Sequence, residues 1–311
     1  MNSQKDNFIE IYNSIDFHAI KDHPNILIAA NFWDRERFCA ARTCYKFMRR
    51  IDDLIDNHKA SYSIIDDEEK KEFIKGVNDW LKMITNGEDC NHEQKDLTET
   101  IKTFRIPSWP LESFAKSMIY DIFHDGFSTL DAFLEYAQGA SVAPASIFVH
   151  LAGLTKKNGV YNDPSFDVKN AATPCAIFSY LVHIIRDFQK DQLNNLNYFA
   201  DDLMVKHRLS RQELRDIANG SPVTPGFRKL INEYYTLADK YRQETLEVIY
   251  RIRPLIESRY QLSLEIIFSL YLMVFERIDI QKGSFISSEL NPTPDETRQR
   301  VYETILKFRP V

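Results

Sequence analysis

Two pairs of aspartates, each separated by four residues within apolar helical sequence, are the residues whose type and spacing point most directly to chemistry. The first pair is Asp52 and Asp56, and the second is Asp187 and Asp191. On a helix, a four-residue step places both carboxylates on one face, one turn apart. Like charges this close repel unless a cation lies between them. Carboxylate oxygens suit Mg²⁺, which often bridges protein carboxylates and substrate phosphates. The two pairs therefore predict facing helices that share divalent ions and act on a diphosphate.

The residues around the first pair form a stripe along one helix face. Tyr45, Arg49, Asp52 and Asp56 follow one another at steps of four, three and four, and Asp53 adds a third carboxylate. An arginine one turn before the carboxylates can pair with them or with a phosphate. The alternative is a solvated charged face, although the interleaved apolar residues make the segment amphipathic.

The second pair ends a segment, residues 173–188, that is apolar nearly all round and should be buried. One stripe of sequence that begins in this segment carries Tyr180, His183, Asp187 and Asp191. A buried carboxylate is unfavourable without a partner, so either a bound cation or a salt bridge to Arg186 or Lys190 is needed. His183 could bind metal or phosphate or act as an acid or base, and the alternative is a core histidine whose hydrogen bonds are satisfied.

The composition restricts the class of protein. The chain has 311 residues with only 9 glycines, and its periodicity is helical, so we expect a single all-α domain over residues 1–311. A net charge of −6 gives no electrostatic case for nucleic-acid binding. The four cysteines form no Cys-x-x-Cys unit, and no apolar stretch is long enough to span a membrane. We expect a soluble cytoplasmic protein, with transient contact with a membrane surface left open.

Helices must position these residues. The first motif is predicted on a helix over residues 34–57, and the second on a helix over residues 168–190. Further helices are predicted at 4–16, 67–84, 92–104, 110–123, 130–154, 210–219, 227–251, 254–278 and 291–308. Residues 156–167 are predicted to form a loop, and His23-Pro24 a break.

Both motifs and their flanks resemble those of a known family. Asp52-Asp53-Leu54-Ile55-Asp56 and Arg186-Asp187-Phe188-Gln189-Lys190-Asp191 are similar to the two aspartate motifs of the squalene/phytoene synthase family, the head-to-head trans-isoprenyl diphosphate synthases. The flanks 44–50 and 197–199 agree. Tyr136 opens a small-residue segment, 136–143, like the one that lines the family's substrate tunnel. Asp121 also lies where the family often has an aspartate.

The resemblance implies an isoprenoid synthase (class I terpenoid synthase) fold, a single helical domain around a deep central cavity. It implies prenyl diphosphate substrates and Mg²⁺ held by Asp52, Asp56, Asp187 and Asp191, with Asp53 as a further candidate. Arg49 would hold phosphate, as could Lys46, Arg50 and Arg186, although Arg50 lies off the stripe. Tyr45 and Tyr136 are candidates for the cavity wall, where an aromatic face can stabilise a cation; ordinary core packing is the alternative. Tyr271 and Arg300 lie roughly where the family has a late tyrosine and a basic segment.

Departures from the family pattern leave the reaction open. Tyr180 and His183 stand where many members have glutamine and asparagine, and the arginine that follows the second motif is absent. The first hypothesis is head-to-head condensation of two farnesyl or geranylgeranyl diphosphates. The second is an enzyme that ionises one prenyl diphosphate and cyclises it or transfers it to another acceptor. The third is a non-catalytic relative. NADPH, which squalene formation needs and phytoene formation does not, stays undecided, as does the oligomeric state.

Overall fold

A computed structural model of the chain describes residues 2–20, 25–60, 66–86 and 92–311. Within these ranges, the side chains of residues 2–3, 54, 56–60, 85–86 and 92–94 lie outside the description. Helices make up most of what is described, as expected. They are α1 (Asn2–Ser14), α2 (Asn25–Ala30), α3 (Arg35–Ala60), α4 (Asp67–Asn86), α5 (His92–Thr103), α6 (Ser108–Phe123), α7 (Leu130–Ala137), α8 (Ala143–Gly153), α9 (Val168–Arg186), α10 (Phe188–Leu193), α11 (Asp201–Lys206), α12 (Arg211–Ala218), α13 (Pro225–Ile252), α14 (Ser258–Phe275), α15 (Ser287–Leu290) and α16 (Pro294–Lys307).

Helix α9 is the central element of the described fold. Helices α8, α13 and α14 pack around it, and its residues from Ala176 to Ile185 are buried, apart from Tyr180 and His183, which stay partly accessible. The sequence prediction of a buried helix here is confirmed. The predicted C-terminus is wrong, because α9 ends at Arg186 and a separate helix, α10, begins at Phe188.

The predicted helix over residues 130–154 is interrupted by a π-helical turn, Gln138–Val142, between α7 and α8. This turn packs against α6 at close range. A Cβ atom on Gly139 would lie 2.1 Å from the Ser113 carbonyl oxygen and 2.2 Å from Ser117 Oγ. Only glycine permits this approach. The small residues that the sequence analysis placed in a tunnel wall therefore also let two helices meet.

The predicted loop over residues 156–167 contains a small hairpin of β1 (Thr155–Lys157) and β2 (Val160–Asn162), with Lys156 opposite Tyr161. Its two turn residues, Asn158 and Gly159, have φ of 50° and 81°. An Asn-Gly pair with two positive φ values is the preferred two-residue hairpin turn. The signal was therefore present in the sequence, and the prediction of a loop missed the hairpin.

Helix ends follow the expected capping chemistry. The Ser210 side chain accepts a hydrogen bond from the Glu213 backbone N–H, which confirms the predicted cap. Thr293 and Glu296 form a reciprocal capping box at the start of α16.

The short helices α2, α11 and α15 were not predicted. None of the described helices is long and apolar enough to cross a membrane.

Candidate active site

The first motif lies near the C-terminal end of α3, where one arginine joins two carboxylates. Arg49 Nη1 donates to Asp52 Oδ2 at 2.9 Å, and Arg49 Nη2 lies 2.6 Å from Asp53 Oδ1. Partial burial disfavours the charged guanidinium, but the two carboxylates outweigh this effect and raise the pKa of Arg49. All three side chains remain accessible, with exposed fractions of 41% for Arg49, 30% for Asp52 and 44% for Asp53.

The second motif spans the junction between α9 and α10. Asp187 leaves the α-helical conformation, with φ −94° and ψ 4°. The backbone N–H of Asp191 nevertheless donates to the Asp187 carbonyl at 2.8 Å. This hydrogen bond preserves the one-turn separation of the two aspartates that the sequence spacing predicts, although the helix itself is broken.

The Asp187 carboxylate is enclosed by Arg186 and His183. Arg186 binds it with two hydrogen bonds, from Nε to Oδ1 at 2.7 Å and from Nη2 to Oδ2 at 2.8 Å. His183 Nε2 lies 2.7 Å from Asp187 Oδ2. Burial alone would favour the neutral acid, but His183 and Arg186 outweigh it and hold the pKa of Asp187 well below its usual range. Asp187 is therefore an ionised, internally neutralised carboxylate.

Charged residues of the first motif interact electrostatically with residues of other helices. Burial, with the nearby Arg186 and also Arg49 of α3, lowers the pKa of His183 on α9. Burial likewise raises the pKa of Tyr136, and Asp52 contributes to that shift. The charges of Arg49 and Asp52 on α3 thus act on side chains of α9 and α7.

Tyr271 on α14 interacts electrostatically with residues of both motif-bearing helices. Burial raises the pKa of Tyr271 to about 12, with Arg186 opposing the shift and with Tyr45 and Asp187 contributing to it. The structure thus brings together eight of the predicted residues, from four elements. They are Tyr45, Arg49 and Asp52 of α3, Tyr136 of α7, His183, Arg186 and Asp187 of α9 and its end, and Tyr271 of α14.

Some side chains of the central helices are only partly buried. Cys175 of α9 and Tyr271 of α14 keep accessible surface, yet desolvation raises the pKa of the Cys175 thiol to about 11. Ala140 and Ser141 of the π-helical turn are partly accessible as well.

Four aromatic rings pack together near the second motif, those of Phe133, Tyr136, Tyr180 and Tyr198. The Tyr180 ring stacks on Phe133 with centroids 5.4 Å apart, and it lies 6.4 Å from Tyr136 and 6.3 Å from Tyr198. The Tyr136 hydroxyl donates to the buried carboxylate of Asp121. Sequence reasoning singled out Tyr136 and Tyr180 but missed Phe133. Its only sequence signal was its place one turn before Tyr136.

Other predicted residues are placed differently. Arg50 and Lys46 are exposed on α3. Arg300 of α16 donates from Nε to Ser269 Oγ at 2.8 Å and pairs with Glu276. Ser269 and Tyr271 lie roughly 200° apart around α14, so Arg300 contacts a different face of α14 from the one that carries Tyr271. The structure does not bring Arg300 to the aspartates, and its phosphate role stays a prediction.

The chemistry of the first motif fits a divalent cation. Asp52 and Asp53 offer partly accessible carboxylate oxygens one residue apart, which is the donor type that Mg²⁺ prefers. The side chain of Asp56 lies outside the described residues. Asp191 is partly buried. Among the side chains that are described, no three from His, Cys, Asp and Glu converge as a preformed metal site.

Comparison with known sequences defines the class. The chain matches the family described as Squalene/phytoene synthase over residues 24–298, and it belongs to that family. It is 22% identical over 182 residues to phytoene synthase 2, chloroplastic, of Zea mays, and 22% identical over 182 residues to phytoene synthase 1, chloroplastic, of Solanum lycopersicum. These matches cover 58% of this chain but only 42% and 41% of the two relatives, about two-fifths of their length.

Comparison with solved structures confirms the fold. A dehydrosqualene synthase in complex with ligand superposes with a TM-score of 0.69 at 15% identity, covering 97% of this chain and 96% of that one. Squalene synthase HpnC from Alicyclobacillus acidocaldarius gives 0.62 at 13% identity, covering 86% and 90%. YisP from Bacillus subtilis gives 0.58 at 15% identity, covering 96% of both chains. The predicted isoprenoid synthase fold is therefore correct.

Proposed function

We propose that this protein is a Mg²⁺-dependent prenyltransferase that condenses two prenyl diphosphates head-to-head and releases diphosphate. The observation that supports the proposal is the electrostatic interaction of Arg49 of α3 with His183 of α9, which lies against the buried Arg186 and Asp187 pair. Cations and carboxylates occur together in both motifs. Family membership supports the same reading.

Each part of the site has a physical role in this reaction. Arg49 would bind the diphosphate oxygens, because guanidinium groups donate strong charge-assisted hydrogen bonds to phosphate. Arg186, which is buried against Asp187, would act on the diphosphate through its charge. Asp52 and Asp53 would hold magnesium, which when bound supplies Lewis-acid polarisation of the leaving group. The aromatic and aliphatic walls would exclude water from the allylic cation, and the rings of Tyr45 and Tyr136 would stabilise its charge.

A second candidate function is ionisation of a single prenyl diphosphate, followed by cyclisation or transfer to another acceptor. The favouring observation is Tyr180, whose partly accessible phenol ring lies on the same stripe of α9 as His183 and packs against Tyr136 and Tyr198. A ring of this size reduces the room for a second hydrocarbon chain beside it. A non-catalytic relative is the third alternative.

Product analysis separates these functions. The purified protein is incubated with Mg²⁺ and either farnesyl or geranylgeranyl diphosphate, with and without NADPH, and the extracts are analysed by mass spectrometry. A linear C30 or C40 hydrocarbon supports condensation, and its dependence on NADPH decides the cofactor. A cyclic or alcohol product supports the single-substrate function. No diphosphate release with any substrate supports the non-catalytic alternative.

The Asp52→Ala variant tests the metal role in the same assay. We expect turnover to be lost while the circular dichroism spectrum stays near that of the wild type, because Asp52 is partly exposed and its loss opens no core cavity. Asp79→Ala, an exposed aspartate of α4, is the matched control and should keep full activity. Substantial turnover by Asp52→Ala would show that the metal assignment is wrong. The cytoplasmic location and membrane contact expected from the sequence stay predictions.

A further inference from the structure

The oxygen atoms of Asp187 are already occupied. A carboxylate offers about four lone-pair positions. Two donors from Arg186 and one ring nitrogen of His183 approach three of them, all within 2.8 Å. A magnesium ion bound to Asp187 would therefore have to displace one of these partners or share an oxygen with a guanidinium group, which repels it.

The Arg186 side chain is held in place by burial. Its side chain is 2% exposed, and that of Asp187 is 8% exposed. The two residues are adjacent in the chain at the end of α9, so the backbone holds them together as well. Removing the guanidinium from Asp187 would leave a buried cation without its counter-ion, which is strongly unfavourable. The Arg186 and Asp187 pair therefore behaves as a permanent part of the fold.

The first motif has the opposite properties. Arg49 is 41% exposed, so its guanidinium can turn towards solvent or towards a phosphate and release the carboxylates of Asp52 and Asp53. Exposed ion pairs of this kind are weak. A divalent cation can replace Arg49 at these carboxylates at little cost, whereas it cannot replace Arg186 at Asp187.

We propose that the two aspartate motifs are not equivalent: Asp52 and Asp53 hold the divalent cation, and Asp187 is a positioning residue that fixes Arg186 and His183 beside the diphosphate and is not a metal ligand. This inference rests on the proposed function and departs from the four-aspartate metal set that the sequence resemblance implies. Asp187, Arg186 and His183 then form an internally paired group that does not bind the metal.

Charge-matched variants test the proposal through metal binding. Asp52→Asn and Asp187→Asn each remove one negative charge, so their long-range effects on a cation are comparable. Each full-length protein is titrated with Mn²⁺ alone, and bound Mn²⁺ is measured by electron paramagnetic resonance. We expect Asp52→Asn to weaken Mn²⁺ binding by about tenfold or more and Asp187→Asn to change it by less than about threefold. Equal weakening in the two variants would overturn the proposal.

A kinetic readout distinguishes positioning from a merely structural role. In Asp187→Asn we expect kcat with the prenyl diphosphate to fall while the Mg²⁺ concentration for half-maximal activity stays near the wild-type value. In Asp52→Asn that Mg²⁺ concentration should rise. A rise of the same size in Asp187→Asn would show that Asp187 binds the metal.

A structure of the unmodified protein covers the case in which Asp187→Asn does not fold. Crystals grown with Mn²⁺ and inorganic pyrophosphate would locate each ion by its anomalous signal. We expect the ions beside Asp52 and Asp53 and no ion in contact with an Asp187 oxygen. An ion within about 2.1–2.2 Å of Asp187 would overturn the proposal. If the wild type takes up no metal in either experiment, the metal-dependent function itself fails and this inference fails with it.

Discussion

The ends of α3 and α9 carry the same pattern of aspartates but opposite electrostatic arrangements. At the end of α3, one cation, Arg49, joins two carboxylates, and all three groups remain accessible to solvent. At the end of α9, one carboxylate, Asp187, is joined by Arg186 and His183, and the ion pair is almost fully buried. Equal spacing in the sequence therefore does not imply equal chemistry, because depth in the fold decides how strongly each charge must be neutralised.

This difference has energetic consequences. An exposed ion pair contributes about 0–1 kcal/mol because water and salt screen it. Breaking a buried pair by removing one partner costs about 3–5 kcal/mol, because the remaining charge is left in a poor solvent. The carboxylates of Asp52 and Asp53 can therefore exchange Arg49 for another cation during a reaction. Asp187 keeps its ion pair with Arg186.

The largest expected effect is on stability. Asp187→Asn should lower the free energy of unfolding by roughly 3–5 kcal/mol, because it leaves the Arg186 guanidinium buried without its counter-ion. Asp52→Asn, the matched change at the first motif, should lower it by about 1 kcal/mol or less. Urea denaturation followed by circular dichroism measures both values. Similar losses in the two variants would remove the distinction between the motifs.

The next effect concerns partner exchange at the first motif. Arg49→Gln should raise the affinity for Mg²⁺ alone by about two- to fivefold, because the cation that competes for Asp52 and Asp53 is gone. The same variant should turn over roughly 100-fold more slowly, because a donor to the diphosphate is lost. Calorimetric titration and steady-state kinetics give the two numbers.

Arg35→Gln provides the control for this variant, because it removes an exposed cation from the other end of α3. Neither metal affinity nor turnover should change appreciably in it. If Arg49→Gln instead binds Mg²⁺ more weakly than the wild type, Arg49 supports the metal site rather than competing with it, and the comparison with Arg186 loses its basis.

The smallest effect is the response to salt. The stability difference between the wild type and Arg49→Gln, about 1 kcal/mol or less at 0.1 M NaCl, should vanish at 1 M NaCl, where the Debye length falls to about 3 Å. The loss caused by Asp187→Asn should persist, because salt ions do not reach the buried pair. Unfolding curves at both salt concentrations test this contrast.

The sequence predicted most of the helices well, because their hydrophobic periodicity and caps are local. The capping of α12 by Ser210 and the burial of α9 were both expected and are both observed. The break at Asp187 was not expected. Residues 186–191 have no glycine or proline, so nothing local marks the end of α9. In the fold, α10 packs against α12 and α15, which are distant in sequence.

The sequence predicted which residue types belong to the candidate site better than it predicted their contacts. Regular spacing showed that Tyr45, Arg49 and Asp52 share a face, and the structure shows Arg49 bonded to Asp52. Arg49 and Asp53 are four residues apart, so their contact also follows from spacing. Spacing could not show that Arg300 would donate to Ser269 and pair with Glu276 instead of approaching the aspartates. These outcomes depend on which helices pack side by side.

The sequence by itself determined that this is a helical protein with two carboxylate-rich helix ends, because side-chain periodicity and charge are properties of each segment alone. Only the tertiary structure decided that Asp187 is enclosed with Arg186 while Asp52 stays partly exposed. Burial is set by the packing of segments far apart in the chain. It is burial that turns two similar motifs into an exchangeable site and a fixed one.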